Sequence, residues 1–582
     1  MPEQNLTGYP SIDKPWLKYY SEEAINAPQP ECTIYEYLWE NNKEHLDDIA
    51  LNYFGKKITY RKLFENIDRV ACSLLSIGVK ENDVVTLLML NQPETVYLFY
   101  AINKIGAVVC VVNVLSSSKE LTHYLSECNS DYFITLDLFF EKAYKAAKKE
   151  NTKKLIYLSM FETGNIFQKA TYRIKVKKPD LNKDDFAVSW ETFLKCQSER
   201  IVQAEYKKQK CAVIGHTGGT TGTPKGVEIS DDSFNVITQQ YSINWNHKRQ
   251  ETFLDIIVPF AIYGLAVNLH MPLCCGVTVV LIPKVIPQKT YKLLFKYKPN
   301  HIISIPSYWE SVVNCKRLKN MSFLKTAGAG GAKMDCETEI KLNMILKTHG
   351  SSALFLNGYG MSEVCSTACV QNTNCAETGS VGIPLPHVII SAFDIETGKE
   401  KTIGDEGEIC INSPSCMLKY VNNEDETQNI MRRHPDGKVW IHTGDLGYIS
   451  ERGSAFITGR IKRIYITQVN GTVSKIFPDR IEKLLSEDPA VSNCCVVCTG
   501  NAKETYKPVA FIVLKQEYRD DIQKVTNTLK CACKANLPDY AQPIKYIFKK
   551  SLPLTSVGKI DYRALENKEN GYGNLYIFNG CY

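Results

Sequence analysis

Residues 216–230 read HTGGTTGTPKGVEIS, and the first eleven hold four glycines, four threonines, a proline and a lysine. Glycines let a backbone turn its N–H groups inward around an anion, with no Cβ in the way. The threonine hydroxyls add donors and Lys225 adds a full positive charge, so the stretch describes a cradle for a polyphosphate. One apolar run, CAVIG (211–215), precedes it and another, GVEIS (226–230), follows, which predicts strand, loop, strand. A Walker loop is followed by a helix and carries Gly-Lys-Ser/Thr. Here Lys225 stands between Pro224 and Gly226, which argues against a P-loop kinase or ATPase.

Such a loop needs a sheet to hang from. The run ITYRKLFENIDRVACSLLSIG (58–78) opens as a short strand, and Thr59 then reads as an N-cap. Leu63, Ile67, Val70, Ala71 and Leu74 recur at helical spacing up to Gly78. DVVTLLML (83–90) predicts a buried strand, ETVYLFYAINKIG (94–106) a helix and AVVCVVNV (107–114) another strand. Strand, helix, strand in this rhythm predicts an α/β fold with largely parallel sheets, and the rhythm returns after residue 211. At 582 residues the chain is too long for one core. The short charged GRIKR (459–463) marks a boundary, with about 120 residues beyond it, enough for a small α+β domain. Residues 149–206 are lysine-rich and irregular and read as a peripheral excursion. Within it the basic YRIKVKK predicts a solvated edge strand, with a membrane-surface segment as the alternative.

Composition excludes several classes. A formal net charge of +6 spread over this length, without a basic stripe of interleaved aromatics, gives no nucleic-acid binder. The N-terminus MPEQNLTGYPSIDKPW lacks the apolar core of a signal peptide. LCCGVTVVLI (273–282) is about half a membrane span, so a cytoplasmic protein without integral membrane contact is expected. The 21 cysteines are then reduced thiols rather than a disulfide framework. Cys495, Cys498, Cys531 and Cys533 have the spacing of a zinc set, but AVSNCCVVCTG (490–500) reads better as a buried strand in which cysteine is a small apolar residue.

TGGTTGTPKG resembles the phosphate loop of the adenylate-forming superfamily of acyl-CoA synthetases, aryl-CoA ligases, adenylation domains and luciferases, and further motifs follow in that family's order. The resemblance implies that Thr217, Gly218, Gly219, Thr220, Thr221, Gly222, Thr223 and Lys225 hold the phosphates of ATP. In NGYGMSE (357–363), Asn357, Gly358 and Tyr359 would bind the nucleotide, with Tyr359 stacked on adenine, Ser362 would bond the α-phosphate and Glu363 would hold Mg²⁺. The family usually has threonine where Ser362 stands; the hydroxyl is kept. GAGGA (328–332) is similar to the small-residue turn along the base, through Gly328 and Gly330. In HTGDLGYI (442–449) Asp445 would take both ribose hydroxyls, with Arg460 beside it. LPLTSVGKIDYR (552–563) resembles the last motif, whose lysine is Lys559. VPFAIYGL (258–265) is similar to the acyl-pocket motif, through Phe260, Ala261, Tyr263 and Gly264.

The resemblance implies a large N-terminal domain (1–461) of mixed and parallel sheets flanked by helices, and a small mobile C-terminal α+β domain (462–582) that pivots near Lys462. The segment 464–482 is a few residues longer than the family pattern. The implied activity joins a carboxylic acid to a thiol through an acyl-adenylate, with ATP, Mg²⁺ and coenzyme A. Amino-acid-activating relatives carry aspartate where Ala261 falls, and many fatty and aryl acid ligases carry histidine. Ala261 supplies neither, which disfavours a buried α-ammonium and leaves room for a hydrophobic acid, first a medium- or long-chain fatty acid, then an aryl or steroid acid. Two other readings stay open: loading of an acid onto the pantetheine arm of a carrier protein, and an inactive ATP-binding sensor or scaffold. The catalytic positions Lys225, Glu363, Asp445 and Lys559 count against the latter.

Overall fold

Runs of valine, isoleucine and leucine build two large sheets in the computed structural model, which describes residues 6–176, 186–195, 203–217, 224–243, 245–332, 334–469, 472–500, 506–555 and 560–569. The first sheet has eight strands. Val108–Val111 lies between Val84–Leu88 and Cys211–His216, all parallel, with Val85 opposite Val109 and Val109 opposite Val213. Tyr132–Leu136, Lys154–Leu158 and Ala187–Ser189 extend it in parallel on one side. On the other side Gly226–Ser230 and Lys419–Tyr420 pair antiparallel. The second sheet has nine strands, parallel through Thr252–Asp255, His301–Ser304, Thr326–Ala329 and Phe355–Tyr359.

Helices close over these sheets by the expected period. Thr59 caps Tyr60–Ser76, its side chain accepting from the Lys62 N–H at 3.2 Å. Leu63, Ile67, Val70, Ala71 and Leu74 all lie in the buried core that the two sheets share. The stretch read from 94 is the helix Pro93–Lys104, every residue of which is buried. A third sheet of five strands follows, centred on Val439–Ile449.

The C-terminal part has its own core. A hairpin of Tyr465–Val469 and Thr472–Ile476 occupies the lengthened segment. The helices Pro478–Ser486 and Ile522–Asn536 pack on a sheet of Val491–Thr499, Lys507–Leu514 and Lys545–Phe548, around Ile481, Leu485, Val496, Ile512 and Leu529. This is an α+β arrangement, joined to the larger part through Arg480 and Glu406 at 2.8 Å.

Two expectations need correction or refinement. YRIKVKK is no edge strand as far as it is described: residues through Lys175 close the helix Ile166–Lys175, fixed by a capping box between Asn165 and Gln168. The CxxC cannot converge on a metal, because successive residues of a strand face opposite ways and positions 495 and 498, three apart, lie on opposite faces. Cys498 points into the core named above and Cys495 into a second cluster with Phe511 and Leu565, while Cys531 is exposed.

Candidate active site

The strand Lys419–Tyr420 edges the first sheet beside the strand Gly226–Ser230, with Tyr420 opposite Val227. The cradle starts there. The Thr217 N–H donates to the Lys225 carbonyl at 3.0 Å, and the Lys225 N–H donates to the Thr217 hydroxyl at 3.3 Å, so the two ends of the loop are tied to each other. Gly218, Gly219, Thr220, Thr221, Gly222 and Thr223 lie outside the described residues, as does Lys559. The Lys225 ammonium stands 4.7 Å above the Tyr420 ring and pairs with Glu426, which holds that carboxyl below its usual range.

The other end of the Tyr420 ring reaches the predicted metal ligand. Its hydroxyl donates to Glu363 Oε1 at 2.7 Å. Burial and then the Glu363 charge raise the phenol, so it stays protonated as a donor. One tyrosine thus bridges the loop lysine and the buried Glu363. Glu363 belongs to the turn Ser362–Val364, which is folded back so tightly that a Cβ on Gly360 would stand 1.8 Å from the Ser366 carbonyl oxygen. Only glycine fits at 360.

The ribose candidate is equally fixed. Asp445 Oδ2 accepts from the Tyr359 hydroxyl at 2.6 Å and Oδ1 pairs with Arg460 Nε at 2.7 Å. Behind it the Thr443 hydroxyl donates to the Ile409 carbonyl at 2.6 Å and accepts from the Asp445 N–H at 3.0 Å. Glu408 accepts from the Gly444 N–H at 3.0 Å and binds His442 Nδ1 at 2.8 Å, while His442 Nε2 faces His434 Nε2 at 2.9 Å. This chain of side chains locks the HTGD turn.

Gly328 and Gly330 end the strand Thr326–Ala329 beside Phe355–Tyr359, with Gly328 opposite Leu356 and Ala329 opposite Asn357. The Gly330 N–H and the Tyr263 hydroxyl both donate to the Ser304 carbonyl, at 2.9 and 3.0 Å. That shared acceptor places the acyl-pocket motif against the adenine motif. A Cβ on Gly264 would meet the Val258 carbonyl oxygen at 2.4 Å, so this glycine closes the VPFAIYG turn. Phe260 is buried; Ala261 and Tyr263 are half-buried. The Asn357 side chain donates to Glu339 Oε2 at 2.9 Å, a contact that orients the strand. Lys462 sits in the turn Ile461–Arg463, between Arg460 on Asp445 and Arg463, which binds Asp479 and Glu482 at 2.6 Å each.

Sequence reasoning missed Tyr420, Glu426 and the anchor of His216. Nothing local in LKYVNNEDET marks the first two, since their partners lie far away in the chain. His216 Nε2 meets Glu127 at 3.1 Å, and the Cys110 and Cys128 sulfurs lie beside it, 3.8 Å apart. Burial alone would lower this imidazole; Cys128 and Glu127 outweigh it and raise it to about 9. The residue just before the cradle is therefore held by charge as well as by the sheet.

A glycine-rich sequence between two strands, a paired lysine and a buried, oriented carboxylate fit a nucleotide-binding α/β enzyme. The family model for AMP-binding enzymes matches residues 38–421, and that for the AMP-binding enzyme C-terminal domain matches 480–559. The chain belongs to the AMP-binding enzyme family. It is 28% identical to a long-chain-fatty-acid–CoA ligase of Bacillus subtilis (strain 168), over 96% of this chain and 98% of that protein. It is 27% identical to a probable 4-coumarate–CoA ligase 1 of Dictyostelium discoideum, over 86% and 89%. Among solved structures it is similar to ATP-bound MatB from Rhodopseudomonas palustris, with a TM-score of 0.78, 22% identity, and 93% and 100% of the chains covered. The anthranilate CoA ligase AuaEII in complex with anthranoyl-AMP gives 0.78 and 20%, over 93% and 98%. These likenesses confirm the fold of a large N-terminal and a small C-terminal domain. Among the described residues no helix is long and apolar enough to cross a membrane.

Proposed function

We propose that this enzyme activates a hydrophobic carboxylic acid, first a medium- or long-chain fatty acid, as its acyl-adenylate and transfers the acyl group to coenzyme A. The observation that carries this reading is the bridge through Tyr420, which holds Lys225 over its ring and Glu363 at its hydroxyl, in a fold whose Asp445 is already oriented. The long-chain-fatty-acid ligase relative and the uncharged Ala261 support the choice of acid.

In the first half-reaction a carboxylate oxygen attacks the α-phosphorus of ATP, the bond to the β-phosphate oxygen breaks, and pyrophosphate leaves. Two anions approach each other, so stabilisation of charge dominates the barrier. Lys225 and the loop amides neutralise the departing pyrophosphate, and Asp445 with Arg460 fixes the ribose. Lys559 bridges the substrate carboxylate and the α-phosphate. Glu363, buried and acceptor-rich, suits Mg²⁺, which would supply further neutralisation of phosphate charge when bound. In the second half-reaction the thiol sulfur attacks the acyl carbonyl, its proton is lost, and AMP leaves. Between the two, the domain 462–582 rotates about Lys462 and withdraws Lys559. The pairing of Arg460 with Asp445 on one side of Lys462 and of Arg463 with Asp479 and Glu482 on the other supports this pivot, although the Arg460 N–H also donates to Asp479 at 3.0 Å.

A screen of carboxylic acids for pyrophosphate release, repeated with coenzyme A and with a carrier protein, tests the reading. Release with fatty acids and acyl-CoA formation are expected. Release only with aryl acids, or transfer only to the carrier protein, would replace the acid or the acceptor. ATP binding without release for any acid would leave the sensor reading.

A further inference from the structure

The helix Ile166–Lys175 displays its apolar residues to solvent. Ile166 and Phe167 are each 83% exposed and Ile174 is 85% exposed. Residues 166, 170 and 174 recur at the i, i+4 interval, and 167 lies one helical repeat from 174, so Ile166, Phe167, Ala170 and Ile174 form one stripe. Lys169 and Arg173, themselves i and i+4, run along its edge and form no ion pair with any described residue. The opposite side is the anchored one. Tyr172 is 7% exposed, its hydroxyl donates to Asp137, and its ring meets Phe161 edge-on with centroids 5.4 Å apart. Asn165 and Gln168 cap the start reciprocally, at 2.8 and 2.9 Å. The helix is thus built, capped and pinned by its buried tyrosine, with the greasy side left outward.

We infer that this helix is a docking element for an anionic lipid surface, lying in the interface with Ile166, Phe167 and Ile174 among the acyl chains and Lys169 and Arg173 at the headgroups. A stable protein interface buries about 800 Å² on each partner, more than the four stripe residues of one ten-residue helix offer. A bilayer interface asks only for an apolar strip that sinks about 5–10 Å and for cations at its border. A second copy of the chain would bring like charges together at the same edge, whereas anionic headgroups match them. Docking would set the enzyme where a long-chain acid partitions. That clause rests on the proposed substrate; the docking itself does not, and vesicle binding reads it without turnover.

The test is cosedimentation of the full chain with vesicles of equal parts phosphatidylglycerol and phosphatidylcholine, and with phosphatidylcholine alone. The wild type is expected to pellet with the anionic vesicles, and binding should drop about tenfold in Phe167→Asp/Ile174→Asp and comparably in Lys169→Glu/Arg173→Glu. Raising salt to about 0.5 M should weaken the wild type, since screening removes the charge contribution. All four side chains sit on the outside of the helix, so unchanged melting confirms the fold of each variant, and wild-type hydrogen exchange over 166–175 should slow on anionic vesicles alone. Failure of the wild type to bind anionic vesicles overturns the inference. So does equal binding by the variants, and so does a wild-type dimer that Phe167→Asp/Ile174→Asp converts to monomer, which would make a second copy the occupant.

Discussion

Tyr359 and Asp445, 86 residues apart in the chain, share a hydrogen bond of 2.6 Å that fixes the carboxylate while Arg460 takes its other oxygen. A carboxylate held this way would meet the proposed ribose diol without reorganising. Asp445→Ala should therefore lower kcat/KM for ATP by roughly a hundredfold, the worth of two charge-assisted hydrogen bonds. Tyr359→Phe keeps the ring and should cost only about fivefold, as for one neutral donor. ATP–pyrophosphate exchange measures both. A normal KM for ATP in Asp445→Ala would remove the ribose assignment.

Lys225 pairs with Glu426, a carboxylate that phosphates bound as proposed would have to displace. Lys462 also helps to hold the Glu426 carboxyl low, so this one acid faces both the cradle and the proposed pivot. Glu426→Gln should then tighten ATP or pyrophosphate by a few-fold, the size of a partly exposed ion pair, while Lys225→Ala weakens it. The double variant should resemble Lys225→Ala in phosphate affinity. Calorimetric titration of the three variants checks the order. Weaker binding by Glu426→Gln would mean that Glu426 positions Lys225 rather than competing for it.

The motifs were legible because their chemistry is local. Gly360 is required by the carbonyl of Ser366, only six residues on, and a carboxylate three residues on is visible in NGYGMSE. The strands 211–216 and 226–230 were equally plain, since a parallel sheet buried on both faces writes continuous apolar runs. Tyr420 and Glu426 were invisible for the opposite reason. Their roles exist only because a strand at 419–420 pairs with one at 226–230, and no periodicity reports such long-range pairing. YRIKVKK was read as a solvated edge strand, yet through Lys175 it closes the helix Ile166–Lys175, whose apolar residues Ile166, Phe167 and Ile174 face outward.

Glu94 gives the fold a pH dependence. It is 2% exposed, bonded to the Thr163 hydroxyl at 2.5 Å, and burial raises its carboxyl from 4.5 to about 7. A carboxyl raised on folding contributes stability that is whole below its unfolded value of 4.5 and is lost as pH climbs through about 7. The loss amounts to about 3 kcal/mol by pH 8. Glu94→Gln, which cannot ionise, should match wild type near pH 4.5 and exceed it at pH 8. Denaturant midpoints at the two pH values decide the matter; a constant gap would mean that Glu94 is ionised throughout.

The two half-reactions should separate by mutation. Lys559→Ala should slow adenylate formation roughly a hundredfold or more, as for loss of a group that stabilises transition-state charge, and leave thioester formation from supplied acyl-adenylate intact. Lys462→Pro fixes φ where the pivot must swing, so adenylation should persist while thioester formation falls sharply. Equal loss of both steps in Lys559→Ala would deny its withdrawal. Normal thioester synthesis in Lys462→Pro would move the pivot into the hairpin 465–476.

The acyl site can be read through Ala261, half-buried between the buried Phe260 and the tight turn at Gly264. Tyr263, two residues on, is fixed by its bond to the Ser304 carbonyl. Each methylene moved from water into an apolar site contributes about 0.8 kcal/mol. For straight-chain acids kcat/KM should accordingly climb about fourfold per added carbon and then level off where the cavity is full. Free α-amino acids should be very poor substrates, because VPFAIYGL offers no acid to pair with the ammonium and an unpaired buried charge is costly. Ala261→Phe adds volume that a packed wall accepts badly, so the levelling point should move to shorter acids and bulky rings should be excluded. Steady-state kinetics over acids of rising length, a few aryl acids and a few amino acids, on both proteins, makes the comparison. Preference for an amino acid would overturn the apolar reading of the site, and a response flat in chain length would put a compact or aryl acid in place of the fatty acid.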